Sequence, residues 1–111
     1  MRLVALLFAF LLVPASGCLL PCNIHKRNVI WEQDDVPLAQ SGFTSQFEFE
    51  GLWGGISRSP EDNKLYLHVY GDSPVSHEEM VRYAEALFES KGWPEPRMEG
   101  GIEEAGCGDD Y

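Results

Sequence analysis

His68 is the side chain best suited to acid–base chemistry in this sequence. It lies between Tyr66 and Tyr70 in a stretch that alternates apolar and polar residues. Glu48 and Glu50 lie in a second alternating stretch, and residues opposite each other on paired strands are about 5 Å apart. A histidine beside a carboxylate can transfer protons, but most such pairs are simply solvated. The five residues are therefore candidates for a binding face rather than for a catalytic pair.

The other polar motifs do not predict catalysis or metal binding. The stretch His77-Glu78-Glu79-Met80-Val81 begins as a zinc-protease helix does, but Val81 stands where the second histidine ligand belongs. Cys22 and Cys107 are 107 − 22 = 85 residues apart and lack the local spacing of a zinc site. We therefore expect no catalytic residues, no metal and no cofactor.

The N-terminal segment predicts export. Met1-Arg2 is a short basic start, and residues 3–13 are eleven consecutive apolar residues followed by small ones. This arrangement is typical of a signal peptide, and the apolar run is shorter than the roughly 20 residues that cross a bilayer. The sequence predicts a signal peptide over residues 1–17.

The end of this segment resembles a bacterial lipobox. Ala15-Ser16-Gly17-Cys18 is similar to the pattern Leu-(Ala/Ser)-(Gly/Ala)-Cys, with Ala15 in place of the usual leucine. The resemblance implies cleavage before Cys18, acylation of Cys18 and a lipid anchor in the cell envelope. Leu19, where aspartate would retain the protein in the inner membrane, implies the outer membrane, facing the periplasm. Cleavage by an ordinary signal peptidase, followed by secretion, is the alternative.

The remaining cysteines predict a disulfide. An odd cysteine count in an exported protein calls for an explanation, and acylation of Cys18 leaves Cys22 and Cys107 as a pair. The compartment is oxidising, so we expect a bridge that joins the two ends of the mature chain. The alternatives are a free Cys107 in a frayed tail and a bridge between two molecules.

Two alternating stretches predict a β-hairpin. Residues 43–50 and 64–70 alternate, and residues 59–63 between them have the composition of a turn. A bulge at Gly51 or at Gly54-Gly55 would keep the apolar residues of the first stretch on one face.

Two shorter strands are predicted around this hairpin. Residues 29–32 form a brief strand, and residues 96–98 form a short edge strand. The interpretation that we favour over a binding face is that the N-terminal strand, Trp31 or Trp53 covers the face around His68.

One amphipathic helix follows the hairpin. Ser76-His77-Glu78-Glu79 fits a capping box, apolar residues recur at helical spacing from Met80 to Phe88, and Gly92 is suited to end the helix. The expected fold class is α+β, with a small antiparallel sheet packed on this helix. The expected core consists of Phe47, Phe49, Leu65, Leu67, Val69, Met80, Ala84, Leu87 and Phe88.

These elements predict one small domain over residues 29–98. Residues 18–28 would form the lipidated N-terminus and a short tether. Residues 99–111 would form an acidic, glycine-rich tail that is mobile unless Cys107 ties it down.

The acidic composition limits the partners. Eight Lys+Arg against 18 Asp+Glu give a net charge of −10, or 7 − 18 = −11 after loss of Arg2 with the signal peptide. Nucleic acid is excluded as a partner, because its phosphates require a basic surface. The surplus either keeps the protein soluble or attracts a basic protein partner.

These observations favour a non-enzymatic envelope lipoprotein that acts as a binding or accessory module. One alternative is an inhibitor or immunity-type protein that blocks a basic toxin or lytic enzyme. Another is a small enzyme that uses His68 with a carboxylate.

Overall fold

Five antiparallel strands and one helix form the part of the chain that the computed structural model describes, residues 22–108. The signal segment, Cys18 and residues 109–111 lie outside this range. The elements are β1 (His25–Trp31), β2 (Phe47–Phe49), β3 (Leu52–Arg58), β4 (Leu65–Gly71), α1 (His77–Lys91) and β5 (Ile102–Cys107). The strands lie in the order β2-β3-β4-β1-β5. The expected α+β class is confirmed.

Local sequence signals explain both ends of α1. The Ser76 hydroxyl accepts a hydrogen bond from the Glu79 backbone N–H, and the Glu79 carboxylate accepts one from the Ser76 N–H. The helix ends at Gly92, whose φ of 72° lies in the left-handed region that glycine tolerates. The apolar stripe of α1 packs on the sheet, and the fully buried part of the core includes Ile56, Leu65, Leu67, Val69, Met80, Tyr83, Leu87 and Phe88.

The expected hairpin has a different partner strand. Strand β4 pairs with β3, so that Leu67 lies opposite Ile56. Residues Glu50 and Gly51 form a two-residue turn between β2 and β3, with φ values of 51° and 83°. Two positive φ values are typical of the tight turn that joins antiparallel strands, and this turn replaces the bulge expected at Gly51. The stretch over 43–50 therefore lies along the outer edge of β3.

The N-terminal strand is longer and more central than expected. Strand β1 begins at His25 and pairs with β4 on one side and β5 on the other. The tether expected over residues 18–28 is thus too long, since its last four residues belong to the sheet.

The C-terminal strand lies at a different position from the one expected. Residues 96–98 are not a strand, because the side chain of Gln33 binds the backbone on both sides of Pro96. Its Oε1 accepts a hydrogen bond from the Arg97 N–H, and its Nε2 donates one to the Glu95 carbonyl. Residues Ile102–Cys107 form the edge strand β5, and Cys107 ties down this part of the expected tail through its bond to Cys22. Glu103 of β5 forms an ion pair with Arg27 of β1 and a contact with His77 at the start of α1.

The expected disulfide is present. Cys22 and Cys107 are bonded, with their Cα atoms 5.6 Å apart, and they join the segment before β1 to the end of β5. The bridge explains how a strand with glycine and two glutamates stays on the sheet edge, because it ties down the end of β5 that carries few buried side chains.

Arg58 is a buried charge that organises the loop between β1 and β2. The residue is 4% exposed, and its guanidinium donates to the backbone carbonyls of Leu38, Asn63, Gln33 and Val36. A planar group with five N–H donors can satisfy several carbonyls at once, which the single ammonium of lysine cannot do in the same geometry. The loop over residues 33–42 is therefore held against the end of β3.

Removing the disulfide is expected to destabilise the fold. Cys107→Ser frees a loop of 85 residues in the unfolded chain, and such bridges contribute about 2–4 kcal/mol. The Tm should fall by at least about 10 °C in a thermal melt followed by circular dichroism. Cys22→Ser should give the same decrease, and so should the double variant. Unequal decreases, or an unchanged Tm in both single variants, would contradict this account.

Replacing the buried guanidinium is expected to cost more than replacing an exposed one. Arg58→Lys leaves backbone carbonyls without donors, so the free energy of unfolding in urea should fall by about 2–4 kcal/mol. Arg82→Lys is the matched control, because the Arg82 side chain is 55% exposed. Its ion pair, between Nε and the Glu50 Oε1, is long at 3.8 Å and lies at the surface. The effect of Arg82→Lys should stay within about 0.5 kcal/mol. Equal losses in the two variants would show that Arg58 does not organise the loop.

Candidate binding face

The sheet has one face that α1 covers and one that it leaves open. Along β4, the buried residues Leu65, Leu67 and Val69 alternate with half-buried Tyr66, His68 and Tyr70. The side of the sheet that carries Tyr66, His68 and Tyr70, together with their cross-strand neighbours, is called the open face. Strand register aligns its side chains in three rows across the sheet.

Each row draws on four or five strand positions. The first row consists of Phe43, Ser57, Tyr66, Ile30 and Ile102. The second consists of Gly55, His68, Asn28 and Glu104. The third consists of Glu48, Trp53, Tyr70, Lys26 and Gly106.

Aromatic rings form a continuous cluster at the centre of the open face. The His68 ring lies 5.3 Å from the Tyr66 ring and 5.8 Å from the Tyr70 ring, measured between centroids. The Trp53 and Tyr70 rings are nearly parallel, with centroids 6.2 Å apart. The period of two in β3 and β4 places these rings on one side, and the register places them next to each other.

A pocket of about 330 Å³ lies at one end of this cluster. Trp53, His68 and Tyr70 line it from the sheet, and Phe43 and Thr44 line it from the segment beside β3. Its size is at the lower end of the range of roughly 300–1,000 Å³ that is typical of small-molecule sites.

Gly55 allows the segment around Thr44 to approach the sheet. The Thr44 hydroxyl accepts a hydrogen bond from the Ile56 N–H at 3.1 Å. A Cβ atom on Gly55 would lie only 3.0 Å from that hydroxyl, so a larger residue would push this wall of the pocket outwards.

The surroundings of His68 favour its neutral form. Burial lowers the pKa of the imidazole, and the positive charge of Lys26 lowers it further. Within residues 22–108 the ring makes aromatic contacts but no hydrogen bond to another residue. A neutral imidazole offers one donor and one acceptor nitrogen. It can therefore serve as a hydrogen-bonding group for a ligand in the pocket.

The carboxylates expected beside His68 lie elsewhere. The cross-strand neighbours of His68 are Gly55 and Asn28. Glu48 is on the open face but two strands from β4, about 10 Å away at the usual strand spacing. Glu50 is in the β2–β3 turn beside Arg82. The expected pairing of His68 with Glu48 or Glu50 is wrong, because the hairpin partner of β4 is β3.

The coverings expected for this face are absent from the described chain. Trp31 is buried on the helix side, where it stacks on Phe88 with centroids 6.3 Å apart. Trp53 is part of the open face, and β1 extends the sheet rather than crossing over it. The sequence reasoning missed Phe43, Trp53 and Lys26 as members of the face. The alternation of β3 could have shown where Trp53 lies. Trp53 is four residues before the polar Ser57, so the two side chains are on the same face of the strand.

Comparison with protein-family models, curated proteins and solved structures finds no match for this chain. The described residues contain no group of three or more His, Cys, Asp or Glu side chains arranged to hold a metal ion. No helix within residues 22–108 combines the length and the apolar character needed to cross a membrane.

His68 is expected to titrate below the ordinary histidine value of 6.5. Since the folded state disfavours its protonation, this residue lowers the free energy of unfolding as the pH falls below 6.5. Lys26→Gln should raise the pKa of His68 in an NMR titration, but not fully to 6.5, because burial remains the larger cause. Lys91→Gln, at the end of α1, is the control and should leave it unchanged. A wild-type midpoint at or above 6.5 would contradict the burial of this ring.

Proposed function

We propose that this chain is a small lipoprotein of the bacterial envelope that acts as a non-catalytic binding module. Residues 1–17 export it, Cys18 carries the acyl anchor, and the open face binds the ligand. The observation that supports a binding role is the aromatic cluster of Trp53, Tyr66, His68 and Tyr70 on the face that α1 leaves uncovered.

Exposed apolar side chains extend this cluster to both edges of the sheet. Phe43 is 76% exposed and Ile102 is 61% exposed, and they occupy the two ends of one row. Contiguous apolar patches on a soluble domain are typical of interaction sites. Tyrosine and tryptophan are enriched in such sites, because they combine a large apolar area with a polar group.

The anchor would hold the domain close to the membrane. Cys22 is four residues after Cys18 and is bonded to Cys107, so few residues separate the anchor from the disulfide. Four extended residues span about 14 Å. Acylation with two or more chains makes such an anchor stable, since each buried methylene contributes about 0.8 kcal/mol. The binding face would then meet ligands of the envelope rather than of the surrounding medium.

An inhibitor of a basic protein is the second candidate. Glu48 and Glu104 lie at the two sides of the aromatic cluster, and the chain has a net charge of −10. A basic partner would be attracted over a distance of about one Debye length, so its association rate should fall with added salt. The third candidate, an enzyme that uses His68, has less support, because the expected carboxylates are not next to the imidazole.

Site-specific photocrosslinking in intact cells tests the binding face. A benzophenone amino acid in place of Tyr66 should give a defined adduct, because this position lies in the aromatic cluster. The same amino acid in place of Glu85, exposed on α1, is the matched control and should give none. Adducts from both positions, or from the Glu85 position alone, would contradict a binding role for the open face.

Cell fractionation tests the anchor. The wild-type chain should be in the membrane fraction with acyl groups on Cys18 in the mass spectrum. Cys18→Ser should be soluble or unprocessed, because the acceptor sulfur is lost. Wild-type protein that is soluble and free of acyl groups would show that the signal segment is cut by an ordinary peptidase.

A further inference from the structure

The chemistry of the pocket on the open face restricts its ligand, and this inference rests on the proposed binding role. The pocket combines aromatic walls with a few polar groups, which is the usual composition of a small-molecule site. Three properties decide the ligand class: the rings, the neutral imidazole and the surrounding charges.

The rings favour a ligand with a flat apolar side. An aromatic ring has a partly negative face, which attracts weakly positive C–H groups. Trp53 and Tyr70 line the pocket with nearly parallel rings, and Phe43 adds a further ring at its edge. One side of a pyranose ring presents such C–H groups.

The polar groups favour hydroxyls. Neutral His68 offers one donor and one acceptor, and a hydroxyl is both an acceptor and a donor. Within residues 22–108 the Trp53 indole N–H donates to no other residue, whereas the Trp31 indole donates to Gln33 at 2.9 Å. The Thr44 hydroxyl adds a third polar group at the pocket wall.

The charges disfavour ionic ligands. Lys26 lies close enough to His68 to lower its pKa, and it would repel a cationic group placed at the imidazole. Glu48 lies next to Trp53, and the net charge of −10 opposes a polyanion. An uncharged polyhydroxyl ligand avoids both penalties.

We propose that the pocket formed by Phe43, Thr44, Trp53, His68 and Tyr70 binds a neutral carbohydrate, one or two sugar rings of an envelope or surface glycan. The sugar ring packs on the aromatic walls, and its hydroxyls bind the neutral imidazole and the indole N–H. Gly55 keeps the Thr44 wall close to the sheet, so the pocket stays matched to a ligand of this size.

Titration with matched oligosaccharides tests the ligand class. The full processed chain, purified in detergent, is titrated with neutral hexasaccharides of glucose, galactose, mannose and N-acetylglucosamine. The deacetylated cationic form of the last and hexagalacturonate serve as charged probes. At least one neutral hexasaccharide should bind with a Kd below about 1 mM and should do so more tightly than either charged probe.

Two apolar residues on opposite sides of the sheet give a matched pair of variants. Phe43→Ala removes a wall of the pocket, and Val81→Ala removes an apolar side chain from α1, away from the open face. The Kd should rise at least tenfold for Phe43→Ala, Trp53→Ala and His68→Ala, and less than twofold for Val81→Ala. Equal effects of Phe43→Ala and Val81→Ala would overturn the assignment.

The wild-type protein provides a test that does not depend on variant folding. In NMR spectra the ligand should shift the indole N–H signal of Trp53 but not that of Trp31, whose indole is buried and bonded to Gln33. A shift of Trp31 alone would overturn the proposal. So would binding of the cationic or anionic probe alone.

Failure of this inference is distinguishable from failure of the binding role. If no neutral hexasaccharide binds but the crosslinker at position 66 still gives an adduct, the carbohydrate assignment is wrong and the open face remains a binding surface. If neither result is obtained, both proposals are wrong.

Discussion

The loop and the turn beside the open face depend on the hydrogen bonds of one buried group, the guanidinium of Arg58. A charge in a protein interior is costly unless its hydrogen bonds are satisfied, and four backbone carbonyls satisfy this one. Those carbonyls come from the loop after β1 and from the turn before β4. One side chain at the end of β3 therefore holds two connections, and backbone hydrogen bonds to Arg58 and Ile56 hold the segment that carries Phe43 and Thr44 along β3.

The two ends of the chain supply the second constraint. Strand β1 is the inner neighbour of β5, and the Cys22–Cys107 bond and the Arg27–Glu103 ion pair hold the two together. Because β5 buries little apolar surface, it depends on these links and on backbone hydrogen bonds. Its pairing with β1 extends the open face by one strand and places Ile102 and Glu104 on it.

The candidate site results from these constraints acting together. The helix covers one face of the sheet, and the other face receives every second side chain of β1, β3 and β4. Packing against the helix explains why Leu65, Leu67 and Val69 are apolar. Phe43 is also apolar, but it is 76% exposed in the described chain. The rings, His68 and the nearby Lys26 form one surface, and this is where the uncharged ligand that we propose would bind.

The sequence by itself determined the local elements and the covalent link. Four features could be predicted because each involves a few neighbouring residues or a single covalent bond. They are the capping box at Ser76, the apolar stripe of α1, the alternation of β4 and the disulfide. Only the tertiary structure decided which strand pairs with β4, that Gln33 takes the backbone bonds of residues 95–97, and that Ile102–Cys107 is a strand. Those outcomes depend on contacts between residues far apart in the chain, where a side chain such as Arg58 or a disulfide outweighs local propensity.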